Sequence, residues 1–147
     1  SSIRIVNMSV ECVFCSIVSA TRDAERVLEG KDWMAFMDSQ PVNPGHVLII
    51  PKAHVSHFID LEPATFSAMN MAAQRIGKAL QRTVKPLRIG LVIAGFDVPH
   101  THLHVIPLHD YHDIGTRRIY ENSWRRATPG ELRESAASII SALQDSA

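Results

Sequence analysis

The sequence predicts an α+β domain with a mainly antiparallel sheet, one long central helix and a C-terminal helix. Three observations lead to this fold class. Short β-rich runs are grouped around tight turns, a pattern that favours antiparallel hairpins. One long central segment has apolar residues at steps of three and four, the spacing of a buried helical stripe. Near the C-terminus, a capping signal opens a second segment of this kind. Strands and helices that do not alternate strictly are typical of α+β domains.

The strands are predicted from β-rich runs bounded by turn residues. Gly30, Lys31 and Asp32 form the turn of the first hairpin. Ser39 to Gly45, rich in Pro, Asn and Gly, is predicted to be a loop. We expect a buried strand that ends at Gly95 and a last strand closed by Pro107. The predicted strands are Glu25–Leu28, Trp33–Asp38, His46–Ile50, Leu87–Ala94 and Thr101–Ile106.

Two helices are predicted. The first runs from Pro63 to Gln81, and proline suits its first turn because no N–H is needed there. Its apolar stripe consists of Phe66, Met69, Ala73, Ile76 and Leu80. The second helix begins at a capping box, Thr128-Pro129-Gly130-Glu131, and continues to about Leu143. Its packing face is formed by Leu132, Ile139, Ile140 and Leu143.

Length and composition fit one ordinary globular domain of 147 residues. Residues 1–8 are expected to be an expression remnant or a disordered N-terminus, with Met8 as the natural start, and 9–147 a single domain. Equal numbers of basic and acidic residues, 15 each, argue against broad binding of nucleic acid or anionic membranes. No apolar run approaches the ~20 residues of a membrane span, and no secretory signal is evident. We therefore expect a cytoplasmic protein.

The only cysteines, Cys12 and Cys15, lie two residues apart in ECVFC. A disulfide between them would close a very small loop and add little stability. Cys-x-x-Cys in a chain without an export signal is typical of a metal half-site or a redox pair. The alternative is that both thiols are small buried apolar groups.

Three histidines, His100, His102 and His104, occupy alternate positions in PHTHLHVIPLH. On a strand they share one face, while Thr101, Leu103 and Val105 face the core. Three interpretations are open at this point. The first is the solvated face of an edge strand, and the second is a three-histidine catalytic zinc site. In the third, the middle imidazole is a nucleophile that its neighbours orient and assist.

HTHLHVI resembles the His-φ-His-φ-His-φ-φ signature of the histidine triad family, in which φ is apolar. CVFCSIV, AFMDSQPVNPGHVLIIPKAH and AGFDVPHTHLHVIP follow in the order typical of that family, so the resemblance covers about Cys12 to Pro107. It implies a HIT-like α+β homodimer that binds a nucleoside phosphate and cleaves or transfers at the α-phosphorus. By this resemblance His102 is the nucleophile, and His104 contacts phosphate and assists proton transfer to the leaving group.

The resemblance also implies a structural zinc site and a nucleotide pocket. The zinc ligands are Cys12, Cys15, His54 and His100, although His57 could replace His54. Phe36 is similar to the family's base-packing aromatic residue, and Asp38 to the carboxylate that accepts both ribose hydroxyls. Gly95 resembles the glycine of the phosphate loop. The apolar wall against the base consists of Val13, Phe14 and Ile17, whose alternative role is plain core packing.

The sequence departs from the family pattern beside the expected phosphate site. The common loop Ala-Gly-Gln-x-Val-x-His is replaced by AGFDVPH, which places Phe96 at the amide and the acidic Asp97 next to it. Ile89 stands near the position of the family's upstream asparagine. These changes leave open a nucleotide-binding module with weak or no turnover. His46, His109 and His112 are expected to be surface or loop residues. Arginines could add phosphate contacts, or form a solvated face, at positions Arg117, Arg118, Arg125 and Arg126.

Overall fold

A computed structural model of the chain describes residues 12–114 and 126–145. Three α-helices occur in these ranges: α1 (Val13–Val18), α2 (Pro63–Thr83) and α3 (Pro129–Asp145). A short 3-10 turn spans Phe58–Asp60. The strands are β1 (Arg26–Glu29), β2 (Trp33–Met37), β3 (Val47–Pro51), β4 (Arg88–Val92) and β5 (Leu103–Leu108). The predictions for residues 1–8 and for Arg117, Arg118 and Arg125 lie outside the described residues.

The strands form one five-stranded sheet in the order β1-β2-β3-β5-β4, and every neighbouring pair is antiparallel. The predicted α+β class is therefore confirmed. β5 lies inside the sheet, where Leu48 of β3 pairs with His104 on one side and Val92 of β4 pairs with it on the other. The interpretation of the histidines as the polar face of an edge strand is therefore wrong.

Helices α2 and α3 cover one face of the sheet. The predicted stripe of α2 is buried at Met69, Ala73, Ile76 and Leu80, and Phe66 is partly buried against it. Leu103 and Val105 of β5 point into this core, as the alternation predicted. At the start of α3, the Thr128 hydroxyl accepts a hydrogen bond from the Glu131 N–H at 3.1 Å, which is half of the predicted capping box.

The opposite face of the sheet is covered by α1, a helix that the sequence patterns did not predict. Phe14 and Ile17 pack there against even-numbered strand residues, among them Phe36 and Leu48. His104 shares this face because it pairs directly with Leu48. The second, smaller core therefore lies beside the histidine-bearing segment.

Two strand predictions need correction. Leu87–Ala94 was expected to be buried, but β4 is a shorter strand at the edge of the sheet, with Leu91 51% exposed. The last strand begins two residues later than predicted and passes through Pro107 to Leu108. Proline is tolerated there because β3 pairs with β5 only as far as Val105, so that Pro107 has a neighbouring strand, β4, on one side alone.

Candidate active site and metal centre

Four predicted metal ligands converge between α1 and the segment before β5. The Cys15 sulfur lies 3.2 Å from His54 Nδ1 and 3.6 Å from His100 Nδ1, and the Cys12 sulfur lies 3.5 Å from His100 Nδ1. All four ligand atoms lie within 4.8 Å of one another. Zinc–sulfur and zinc–nitrogen bonds of about 2.3 and 2.0 Å place tetrahedral ligands about 3.3–3.8 Å apart. The spacing of the four atoms therefore fits one zinc ion.

The orientation of His100 also suits a metal ligand. Its Nε2–H donates to the Pro51 carbonyl at 2.8 Å, which leaves the lone pair of Nδ1 facing the two sulfurs. A backbone carbonyl that fixes the tautomer in this way is the usual outer partner of a metal-bound histidine. Burial also lowers the pKa of His100, so that its ring is neutral and able to ligate.

Ionisation of the two neighbouring thiols is unfavourable unless a cation is bound between them. Burial, together with the neighbouring Cys12 thiol, raises the pKa of Cys15 to about 11. Two adjacent thiolates repel each other, whereas a bound divalent cation stabilises both of them. Two sulfurs and two imidazoles form a closed set of four ligands, which is typical of a structural zinc site. The donor set and the spacing thus both fit zinc.

His102 has the opposite tautomer from His100. Its Nδ1–H donates to the His100 carbonyl at 2.8 Å, so its Nε2 carries the lone pair. The ring is buried and lies 5.0 Å from the ring of Phe14 in an edge-to-face arrangement. A neutral imidazole with a fixed orientation and a free lone pair is suited to nucleophilic attack.

His104 is oriented by a residue, His46, that the sequence interpretation assigned to the surface or a loop. His46 is 2% exposed, and its Nε2 lies 2.9 Å from His104 Nδ1. The His46 Nδ1 accepts a hydrogen bond from the Val42 N–H at 3.0 Å. The proton of a neutral His46 is therefore on Nε2 and is donated to His104 Nδ1. His104 in turn carries its own proton on Nε2, where it is available as a donor.

Gly45 explains how the backbone reaches this arrangement. It adopts φ +97, a left-handed conformation that favours glycine, immediately before His46. A Cβ at this position would lie 3.0 Å from the Leu80 side chain and 3.1 Å from Val84. The glycine therefore permits the close approach of the loop to α2 and directs His46 into the protein.

Asp38, His46 and His104 also place three possible ligand atoms within 4.8 Å of one another. Asp38 Oδ2 lies 3.4 Å from His46 Nε2. The ring proton of His46 is on Nε2, because His46 Nδ1 already accepts a hydrogen bond from the Val42 N–H. Nε2 therefore has no lone pair to offer a metal ion. We therefore interpret this cluster, called the relay below, as a hydrogen bond between His46 and His104 with Asp38 beside it, rather than as a metal site.

Burial governs the protonation of the relay. It lowers the pKa of His46 well below 6.5 and, with a contribution from neighbouring His102, lowers that of His104 to about 4. Burial also raises the pKa of Asp38 to about 6, partly opposed by the hydrogen bond from the Gln40 N–H. Near pH 7 both histidines are neutral and Asp38 is ionised.

The predicted pocket residues lie on the α1 side of the sheet. The rings of Phe14 and Phe36 are 5.8 Å apart, edge to face, and both side chains are buried with Ile17. Val13 is partly buried in the same cluster. Gly95 adopts φ +82, which supports its predicted backbone role. Phe96, which stands in place of the family's amide, is 96% exposed, and Asp97 is exposed as well.

Several alternatives from the sequence are now decided. Among the residues described, the ligand atoms of His100, His102 and His104 do not converge: His100 faces the thiols and His104 faces His46. The three-histidine zinc cage is therefore wrong. His54 contacts Cys15, whereas His57 lies in neither ligand group. His109 and His112 are exposed, as expected.

Ile89, which stands near the sequence position of the family's upstream asparagine, faces away from the histidines. It pairs with Pro107 and packs against α2, near Gly77, on the helix-covered face. The β4 residue that pairs with His104 is Val92. The absence of an amide at position 89 therefore removes no contact on the face that carries the histidines.

His46 is the residue of the candidate site that the sequence interpretation missed. The signal that could have found it is its register: His46, Leu48 and Ile50 share one face of β3 and its approach. That signal becomes informative only when Leu48 is known to pair with His104.

The HIT domain matches residues 19–111. The chain belongs to the histidine triad (HIT) family. It is 34% identical over 109 residues to a HIT-like protein of Mycoplasma genitalium, covering 71% of this chain and 77% of that one. It is also 34% identical over 104 residues to the adenosine 5'-monophosphoramidase of Saccharomyces cerevisiae, covering 70% of this chain and 66% of the yeast protein.

The HIT fold is equally evident from solved structures. The zinc-bound histidine triad protein of Mycobacterium smegmatis has a TM-score of 0.77 and 29% identity, covering 93% of this chain and 96% of that one. HIT proteins are commonly nucleotide hydrolases or transferases and bind nucleotides as small-molecule ligands. In the described part of the chain, no helix has the length and apolar character to span a membrane.

Proposed function

We propose that this HIT protein is a nucleotide hydrolase or nucleotidyltransferase. Its substrate is a nucleoside phosphoramidate or a dinucleoside polyphosphate, cleaved at the α-phosphorus. The observation that carries the proposal is the opposite protonation of two neighbouring imidazoles. His102 presents a lone pair at Nε2, and His104, with its ring centre 4.9 Å away, presents an N–H. A nucleophile beside a proton donor is what a displacement at phosphorus requires.

In the first step, the lone pair of His102 Nε2 attacks the α-phosphorus. The bond from phosphorus to the leaving group breaks, His104 Nε2–H donates a hydrogen bond to the leaving atom, and that atom takes its proton from solvent. The product is a nucleotidyl-histidine whose ring carries a positive charge. The hydrogen bond from Nδ1–H to the His100 carbonyl stabilises that charge because the carbonyl dipole points at it.

In the second step, water attacks phosphorus and the bond to His102 breaks. The proton released by the attacking water passes to solvent, His102 returns to its neutral form, and His104 Nε2–H donates a hydrogen bond to the phosphate. An alcohol or a phosphate in place of water makes the same step a nucleotidyl transfer. His46 holds the His104 ring through both steps and is a positioning residue.

Nucleotide binding is proposed for the face that α1 covers. Asp38 accepts the ribose hydroxyls, and Gly95 brings backbone N–H groups near the phosphate. The base lies against the apolar residues Val13, Phe14, Ile17 and Phe36. Cys12, Cys15, His54 and His100 would hold a zinc ion whose contribution is structural, because its four ligands leave no position for substrate.

The test is incubation with adenosine 5'-phosphoramidate and with a diadenosine polyphosphate, with measurement of the nucleoside monophosphate released. We expect His102→Ala to abolish turnover and to prevent trapping of radiolabelled nucleotide on the protein. The matched control is His109→Ala, which removes an exposed histidine outside the site. Turnover by His102→Ala comparable to that of the wild type would refute the assignment of the nucleophile.

Phe96 and Asp97 favour a second candidate, a nucleotide-binding module with little turnover. An acidic side chain beside the phosphate site would repel the substrate and slow the reaction. Nucleotide binding by calorimetry without turnover on any phosphoramidate or polyphosphate substrate would establish this candidate. A Phe96→Gln/Asp97→Ser variant that gains turnover would identify the loop as the cause.

We also propose that the protein is a homodimer formed through β4 and the adjacent face of α2. β4 is an edge strand with an exposed Leu91, and Met71 on the neighbouring helix is 66% exposed. An unpaired strand edge beside apolar side chains is suited to symmetric pairing with a second copy. Sedimentation should give twice the chain mass, and Leu91→Lys should shift the protein toward the monomer. A wild type that sediments as a monomer would contradict this interface. The cytoplasmic location stays a prediction.

A further inference from the structure

Helix α1 carries two sets of residues with different tasks. Cys12 and Cys15 face the proposed metal, while Phe14 and Ile17 belong to the proposed base-binding wall. α1 has six residues, and a helix this short does not persist in water without tertiary anchors. Its position depends on its packing against the sheet and on whatever holds its sulfurs.

His100 connects these two tasks to the nucleophile. Its ring faces both sulfurs, and its carbonyl accepts the Nδ1–H of His102. The Phe14 ring packs edge to face against both imidazoles, with its ring centre 5.8 Å from that of His100 and 5.0 Å from that of His102. The metal ligands, the base-binding wall and the nucleophile are therefore one continuous set of contacts.

We propose that the Cys12/Cys15/His54/His100 centre is a reversible anchor for α1, and that oxidation of its two thiols releases the metal and weakens nucleotide binding. With metal bound, α1 is held against the segment that carries His102. Without metal, the sulfurs lose their common partner, and the position of α1 depends on packing alone. The proposal rests on the nucleotide binding proposed above.

The oxidant class is a peroxide, and the step balances. One cysteine thiolate attacks a peroxide oxygen, the O–O bond breaks, and a sulfenic acid forms. The second sulfur attacks the sulfenic sulfur, the S–O bond breaks and a disulfide results. Two electrons pass from the two thiolates to hydrogen peroxide, which takes up two protons and becomes two water molecules. The Zn²⁺ ion is released because the disulfide no longer ligates it. The sulfurs lie within 4.8 Å of each other, and Cys15 is only partly buried.

The experiment compares three forms of the full chain: zinc-loaded, chelator-treated and oxidised with hydrogen peroxide. Calorimetry measures the affinity for adenosine 5'-monophosphate, a chromophoric indicator measures zinc release, and hydrogen exchange measures protection of residues 13–18. We expect one zinc released per chain, loss of protection in α1 and about tenfold weaker nucleotide binding, a typical coupling between two sites. By linkage, the nucleotide should tighten zinc binding by the same factor.

Two controls separate this coupling from other damage. Reduction with a thiol followed by addition of zinc should restore all three readouts, which methionine oxidation would not allow. The Cys12→Ser/Cys15→Ser variant cannot form the disulfide and should behave like the chelated protein with or without peroxide. If that variant does not fold, the chelated wild type provides the comparison.

The outcomes distinguish this proposal from the proposed function. Equal nucleotide affinity in the zinc-loaded, metal-free and oxidised forms overturns the anchor while leaving nucleotide binding intact. Absence of nucleotide binding by the zinc-loaded protein overturns the proposed function. In that case, unchanged protection of α1 after zinc removal would overturn the anchor as well.

Discussion

Replacing Asp38 by asparagine should stabilise the fold and weaken nucleotide binding at the same time. The side chain is 17% exposed, and burial raises the pKa of this carboxyl from 3.8 to about 6. The stability that its protonated form contributes is fully present below pH 3.8 and is lost as the pH rises through about 6. Near pH 7.5 the ionised Asp38 therefore destabilises the folded state.

The size of this effect follows from the pKa. The change from 3.8 to about 6 corresponds to about 3 kcal/mol of unfolding free energy at about 1.4 kcal/mol per pKa unit. Asparagine loses the charge-assisted part of the hydrogen bond from the Gln40 N–H, on the order of 1 kcal/mol. We therefore expect Asp38→Asn to be more stable by about 2 kcal/mol at pH 7.5, which raises Tm by about 4–8 °C.

The assays are thermal unfolding between pH 3.5 and 7.5 and calorimetry with nucleotides. The stability gain should shrink steadily as the pH is lowered. Affinity for adenosine 5'-monophosphate should fall about 10- to 100-fold, because hydrogen bonds to a charged group contribute about 1.5–3 kcal/mol. The matched ligand is the 2',3'-dideoxy nucleotide, whose affinity should not change. A variant that is less stable at pH 7.5, or that loses affinity equally for both ligands, would refute this reasoning.

The remaining predictions concern the relay and the phosphate loop. His46→Leu removes the hydrogen-bond donor to His104 and should lower kcat about 10- to 1000-fold for substrates with amine leaving groups. It should lower kcat little for a nucleotide p-nitrophenyl ester, because p-nitrophenolate leaves without a proton. His46→Gln keeps an N–H donor and should recover part of the loss, whereas equal losses on both substrates would argue for a purely structural role. Gly95→Ala forces φ +82 on a residue with a Cβ and should cost about 1–2 kcal/mol of unfolding free energy, although the new Cβ has free space. Gly95→Asn should lose less unfolding free energy, because asparagine tolerates a left-handed φ better than alanine does. Chemical denaturation measures the stability of both variants, and an alanine variant as stable as the wild type would contradict the predicted backbone strain.

Much of the fold was predictable because it depends on local periodicity. The apolar stripe of α2 repeats at helical spacing, and the capping box that opens α3 is a local motif. The alternation of Thr101, Leu103 and Val105 correctly placed these side chains in the interior. The edge position of β4 was not predictable, because its apolar residues suggest burial whichever strands it neighbours. Helix α1 is only six residues long, too short for a periodic signal.

The candidate site shows the same division between local and long-range information. The resemblance to the HIT family selected the four ligands that the structure brings together, although Cys12 and His100 are 88 residues apart in the chain. The role of His46 was invisible because it depends on pairing between β3 and β5 and on one N–H from Val42. A single histidine after Pro-Gly gives no indication that its ring is buried.

The central claim is that three alternate histidines are given different tasks by their hydrogen-bond partners. Long-range ¹H–¹⁵N correlation spectroscopy of the imidazole rings in the zinc-loaded protein at pH 7 tests this most directly, with His100→Asn, His102→Asn and His104→Asn variants used for assignment. We predict that His102 is protonated at Nδ1, and that His100 and His104 are protonated at Nε2. A His102 protonated at Nε2, or a His104 protonated at Nδ1, would contradict the assignment of nucleophile and proton donor.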